Sequence, residues 1–230
     1  MAFMDERRGS MDEPASKSPD SVLIPAALEW CGLVCARGGK RLFGPLSSGI
    51  GHGELLWVRG ANGAGKTSLL RILAGLMAPT QGEVTWHGGR IDDLQEDFNQ
   101  HLIYLGHAAA LKDDLSPLEN LLFASHLCRQ EVDAAQARRA LALAGLRGKE
   151  DTLVRHLSQG QRRRSALSRL CVGLNARLWI LDEPFNALDR AATTWLAITI
   201  QAHLDNAGMV VLTTHQDVPV QGLGQKVLDL

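Results

Sequence analysis

The chain has 230 residues, 24 Lys+Arg against 25 Asp+Glu, a formal net charge of −1 and 45% hydrophobic residues. A chain of that size buries roughly 70–75% of the surface its unfolded form exposes, so one substantial core forms without disulfides or a structural metal. The near-zero charge argues against unspecific grip on nucleic acid or anionic lipid, and no apolar run reaches the roughly 18–20 residues needed to span a bilayer.

Residues 1–22 mix acids, bases, serines and prolines with little to bury and are expected to be a disordered extension. Lacking an apolar centre, they read as neither secretory signal nor transit peptide, and a cytoplasmic chain is expected. A strand is predicted near 27–35, followed by a Gly-Gly turn at 38–39. Cys31 and Cys35 lie in that strand with no matching pair downstream, so they read as small buried apolar residues rather than metal ligands. A second strand over 54–59 runs into a glycine-rich loop, and residues 68–76 have helical spacing. A strand pair is predicted around 82–87 and a short apolar strand at 101–105. From 116 to 147 the pattern turns helical, with an amphipathic segment over 131–144. A polar turn ending in Leu-Ser-Gln-Gly-Gln (157–161) leads into a helix through about Leu174. A buried strand at 178–181, a helix at about 190–204 and an apolar strand at 209–214 complete the pattern. Continuous apolar runs alternating with helices imply a mostly parallel sheet.

Gly60-Ala61-Asn62-Gly63-Ala64-Gly65-Lys66-Thr67 matches G-x-x-x-x-G-K-[ST] between a predicted strand and a helix opened by Ser68. Such glycines let successive backbone N–H groups turn onto phosphates, and the helix N-terminus adds partial positive charge. Lys66 is placed to reach the β- and γ-phosphates, and Thr67 to offer its hydroxyl to Mg²⁺. The strand ending in Asp182-Glu183 delivers two acids at its C-terminal edge, where ligands bind in open parallel sheets. Asp182 is expected to hold Mg²⁺, mainly through water. Glu183, on the other side of the pleat, is expected to polarise an attacking water. At 157–161, Ser158 can cap the following helix while its hydroxyl, the Gly160 N–H and the helix dipole present an anion site that Gln161 adjoins.

The 157–161 turn resembles the signature sequence of ATP-binding cassette (ABC) proteins. Asn186-Ala187-Leu188-Asp189 resembles that family's D-loop, and His215 after the 209–214 strand resembles its switch histidine. The likeness covers residues 24–230. It implies an α/β P-loop NTPase cassette over 23–230, with a mostly parallel sheet core, an antiparallel β subdomain and an inserted helical subdomain at about 108–165. It also implies a homodimer in which two ATP molecules, with Mg²⁺, are each held between one chain's phosphate loop and the other's signature turn. The implied catalytic residues are Glu183, His215 and Lys66. Three positions depart from the family pattern. Arg37 stands where an aromatic usually meets adenine, so either a weaker adenine grip or a stacked guanidinium is expected there. His107 replaces the Q-loop glutamine as a possible Mg²⁺ contact. Gln159 replaces the signature's first glycine and is expected to face away from nucleotide.

Tyr104-Leu105-Gly106-His107, the segment after it, and an ending fifteen residues beyond His215 resemble the cassettes of haem-handling complexes in bacterial c-type cytochrome maturation. That resemblance implies a peripheral subunit on the cytoplasmic face of the inner membrane, with a CcmB-like integral membrane partner and a CcmC-like protein nearby. Its ATP hydrolysis would drive release of a haem-loaded chaperone. The chain has no C-x-x-C-H and its eight histidines are scattered, so it is expected not to bind haem directly, nor nucleic acid. The competing expectations are the ATPase of a solute importer or lipid exporter and a soluble cassette acting on nucleic acid or ribosomes. A small-molecule phosphoryl transferase is a third, and it leaves the signature turn and His215 unexplained.

Overall fold

A computed structural model describes residues 27–173, 176–215, 220 and 224–230; the 1–22 extension and the predicted helix end at Leu174 lie outside the described residues. Two sheets form the frame. The first is antiparallel, in the order β2 (Lys40–Ile50), β1 (Leu28–Arg37), β4 (Gln81–Trp86), β5 (Gly89–Arg90). The second is parallel throughout, in the order β6 (Leu102–Leu105), β7 (Leu178–Asp182), β8 (Met209–Thr213), β3 (Glu54–Arg59), β9 (Gly224–Asp229).

The inner parallel strands β3, β7 and β8 have continuous apolar runs because both faces are covered. Leu56, Val58, Ile180, Met209 and Val211 pack on one side with α1 (Lys66–Leu73) and the antiparallel sheet, where Leu28, Trp30, Leu33 and Phe43 complete the layer. Leu55, Trp57, Trp179, Leu181, Val210 and Leu212 face the opposite side. There they meet α5 (Gln159–Leu167), which continues into a 3₁₀ turn at Ser168–Cys171, and α6 (Arg190–Asp205). The period-2 alternation of strand side chains therefore builds two cores from one strand set.

A third, smaller core lies away from the sheets. α3 (Pro117–Leu127) and α4 (Ala134–Leu143) pack Leu118, Leu121, Ala137, Ala140 and Leu141 against Leu146 and Val172. Both helices open with a capping box, Ser116 with Glu119 and Asp133 with Gln136. Each box satisfies two otherwise orphaned N–H groups and fixes where its helix begins.

Three elements have no counterpart in the predicted pattern. β2 contains Gly44-Pro45, which reads as a turn, but the strand lies at a sheet edge, where proline's missing N–H costs no ladder bond. α2 (Gln95–Gln100) buries only Phe98, so it has no apolar stripe. β9 is another edge strand whose residues alternate between partly and fully exposed. Cys35 is buried as expected, but Cys31 is exposed because β1 bulges around Gly32 (φ +60°), with register shifts on both of its ladders.

Candidate active site

The chemistry-bearing residues gather at the C-terminal ends of β3, β6, β7 and β8. Beyond β3, Gly60, Gly63 and Gly65 have φ of 147°, 83° and 104°. A Cβ on Gly65 would come within 2.8 Å of the Phe43 ring, and one on Gly60 within 2.9 Å of the Leu230 carbonyl. The loop therefore needs glycine for both its backbone conformation and its close packing. α1 begins with Gly65 at its N-cap and no side-chain cap, so no side chain covers its first N–H groups. Lys66 Nζ donates to the carbonyls of Gly60 (2.7 Å) and Ala61 (3.2 Å), which hold the ammonium over the loop.

Asp182 ends β7 and is 2% exposed. Its Oδ2 accepts from the Thr67 hydroxyl at 2.8 Å and its Oδ1 from the Thr213 hydroxyl at 2.8 Å, so one buried carboxylate ties α1, β7 and β8 together. Glu183 does not continue the pleat. Its φ of +51° turns it out of the strand, so a left-handed backbone rather than strand alternation aims its side chain. The Glu183 N–H donates to Thr213 Oγ1 at 2.8 Å. Its carboxylate lies between Asn186, whose Nδ2 donates at 2.9 Å, and His215, whose Nε2 stands 3.1 Å from Oε1.

A groove of about 370 Å³ brings Arg37, Asn62, Gly63, Gly65, Lys66, Thr67, Ser68, His107, Asp182 and Glu183 onto one surface, with Leu42 as an apolar wall. A smaller adjoining cavity of about 270 Å³ joins Gly60 and Lys66 to His215, Thr214, Trp57 and Arg59. Ser158, Gly160 and Gln161 line neither. Ser158 is exposed and caps α5, its Oγ accepting the Gln161 N–H at 3.2 Å while Gln161 Oε1 accepts the Ser158 N–H at 2.9 Å. A Cβ on Gly160 would come within 2.9 Å of the Ala187 carbonyl, so this glycine also lets α5 approach the 186–189 loop. Gln159 is exposed beside it. Sequence reasoning missed Thr213 and Arg163, which bond the backbone around Glu183; neither belongs to a spaced motif that could have flagged it.

A family model described as ABC transporter matches residues 43–186. The chain belongs to the ABC transporter family. Among its relatives, a protein named cytochrome c biogenesis ATP-binding export protein CcmA from Dechloromonas aromatica is 52% identical over 193 residues, covering 84% of this chain and 94% of the relative. The protein of the same name from Aromatoleum aromaticum is 49% identical, covering 86% and 92%. The fold matches an ATP-binding cassette solved as a dimer in a post-hydrolysis state with ADP and phosphate, with TM-score 0.74, 22% identity, and 82% and 88% coverage. This cassette is thus an ATP-binding, ATP-hydrolysing subunit built on the family's parallel-plus-antiparallel sheet plan. Among the described residues no helix is long and apolar enough to cross a membrane.

Proposed function

We propose that this chain is the ATPase subunit of the haem-handling ABC complex of bacterial c-type cytochrome maturation, coupling ATP binding and hydrolysis to release of a haem-loaded chaperone. The observation that carries the reading is the 52% identity, over 84% of this chain and 94% of the relative, to a protein named for cytochrome c biogenesis.

In this reading the glycine-rich loop and the first N–H groups of α1 cradle the phosphates, and Lys66 reaches the β- and γ-phosphates. Arg37 and Leu42, at the same groove, flank the base. The Thr67 hydroxyl and the Asp182 carboxylate are hard oxygen donors 2.8 Å apart and suit Mg²⁺, which takes one or two carboxylate contacts plus substrate phosphates. When bound, Mg²⁺ supplies neutralisation of charge on the β- and γ-phosphates. Glu183 orients a water and draws off its proton as the water oxygen bonds the γ-phosphorus and the bond to the ADP oxygen breaks, giving ADP and phosphate. His215 and Asn186 hold the carboxylate for that step, and His107 lies within reach of the phosphates.

The Ser158–Gln161 turn, exposed at Ser158 and Gln159, acts in trans. Two copies pair so that each turn closes on the γ-phosphate held by the other chain's loop. Hydrolysis removes that shared group and the halves part. The helical subdomain at about 108–165 passes the motion to a CcmB-like membrane subunit, with a CcmC-like protein nearby, and the cassette works peripherally at the cytoplasmic face of the inner membrane. A cleft of about 180 Å³ between Leu111 and α3, bordered by Phe123 and Leu127 at 41% and 67% exposure, is the contact surface for that subunit.

The test is complementation of a bacterium lacking its own subunit of this kind, read as covalently attached haem in its c-type cytochromes. The parent chain should restore holocytochrome and co-purify with the membrane subunit, while Glu183→Gln should co-purify without restoring it. Normal holocytochrome levels with Glu183→Gln, or none with a well-expressed parent chain, would sink the reading.

A further inference from the structure

Arg163, in the second turn of α5, is 7% exposed, and all of its hydrogen-bond acceptors are main-chain carbonyls. Nη2 donates to Asp182 O (2.9 Å) and Glu183 O (2.8 Å), Nη1 to Gly106 O (2.9 Å) and His107 O (3.4 Å), and Nε to Pro184 O (3.4 Å). Keeping a charge at such a depth is costly. Burial pulls the guanidinium below its ordinary basicity, opposed by attraction to Asp182 and Glu183. Its planar fork offers five donors in a fixed geometry that reaches acceptors on two strand ends, whereas an ammonium has at most three, all radiating from one atom.

Those acceptors belong to the segments leaving two adjacent strands, β6 and β7, and one of them is the carbonyl of Glu183. Glu183 has φ +51°, a left-handed conformation that is strained for a non-glycine residue. Its N–H is held by Thr213 and its C=O by Arg163. With both backbone groups fixed, the left-handed turn persists and the carboxylate stays between His215 and Asn186.

We propose that Arg163 is a positioning residue: its guanidinium locks Glu183 in the left-handed backbone that aims its carboxylate, and so joins the helix capped by Ser158 to the water-activating acid and to the His107 backbone. This rests on Glu183 being the base. Relaxation of residue 183 to negative φ would re-aim its Cβ without altering the phosphate loop itself, so turnover depends on Arg163 while nucleotide capture does not.

The experiment is steady-state ATPase kinetics on the full chain carrying Arg163→Lys, alone and combined with Glu183→Gln, and on Arg163→Ala with and without millimolar guanidinium. Lysine keeps the charge and loses the fork. Arg163→Lys is expected to lower kcat about 10–100-fold with KM for ATP within about twofold, and to cost less than about threefold more in the Glu183→Gln background. Guanidinium should raise the Arg163→Ala rate at least several-fold. Parent-like kcat in Arg163→Lys, a rise in KM matching the fall in kcat, losses that multiply in the double variant, or failure of both single variants to fold would each overturn the proposal. If Glu183→Gln alone hydrolyses ATP at the parent rate, the base reading fails instead; a slow Glu183→Gln with multiplying losses sinks only the role of Arg163.

Discussion

Asp182 and Glu183 are consecutive carboxylates with opposite surroundings. Asp182 is buried, with both oxygens accepting from threonine hydroxyls, whereas the Glu183 side chain is 15% exposed and bonded only at its tip. In the proposed mechanism the first stays fixed and the second meets a mobile water. Glu183→Gln keeps the shape and removes the base, so hydrolysis should slow about 10²–10⁴-fold, roughly 3–5 kcal/mol of barrier. Equilibrium binding of labelled ATP should be unchanged. Lys66→Ala should do the reverse, weakening ATP binding by about 1.5–3 kcal/mol through loss of a charge-assisted contact. The pair separates capture from chemistry, and loss of ATP binding in Glu183→Gln would contradict the assignment.

Among the elements, α6 carries an acid-sensitive joint. His203 stacks on Trp179 with ring centroids 3.7 Å apart and planes 4° from parallel. Burial pushes its pKa from 6.5 down to about 4, against the opposing effect of hydrogen bonds to the Arg177 and Met209 backbone. The unfolded chain takes up this proton near the ordinary histidine value and the folded chain only near 4, so between these values the unfolded state binds more protons and stability is lost as the pH is lowered. Thermal unfolding from pH 7 to pH 5 should show a loss of about 1–2 kcal/mol that His203→Phe removes. A parent-like acid slope in His203→Phe would assign the loss elsewhere. The segment before α3 depends on Asn120, 6% exposed, whose side chain accepts the Lys112 N–H at 2.8 Å and donates to the carbonyls of Lys112 and Ser116 at 3.0 Å each. Asn120→Ala orphans those groups and should cost about 1–3 kcal/mol in urea unfolding. It should also expose residues 108–116 to limited proteolysis while leaving ATP binding intact.

At the scale of the whole molecule, the signature turn lies outside the groove that holds the phosphate loop, so one chain supplies only part of the proposed site. This has a mixing consequence. Lys66→Ala and Ser158→Arg should each be inactive alone. Combined, they form mixed dimers in which one of the two sites pairs an intact loop with an intact turn. If the two sites act independently, ATPase activity of the mixture should recover to roughly a quarter of the parent's, the statistical share for a two-fold dimer. No recovery across a range of protein concentrations would argue for sites contained within one chain.

The phosphate loop, the acid pair and the alternation of apolar runs with helices were legible in the residues, because a motif's spacing and a strand's burial on both faces are local properties of the chain. The extents of β3, β7 and β8 followed closely for the same reason. β2 and β9 did not, because an edge strand is defined by what lies beside it, and β2's Gly44-Pro45 is tolerable only at an edge. The sequence by itself determined the family plan and where its glycine-rich loop, acid pair and signature turn fall along the chain. Only the tertiary structure decided how they are aimed: the left-handed turn at Glu183, the Thr213 and Arg163 contacts that hold it, and the placing of Ser158 away from the groove. Each depends on residues distant in the chain meeting through the packing of β6, β7, β8 and α5, and no local pattern records such a meeting.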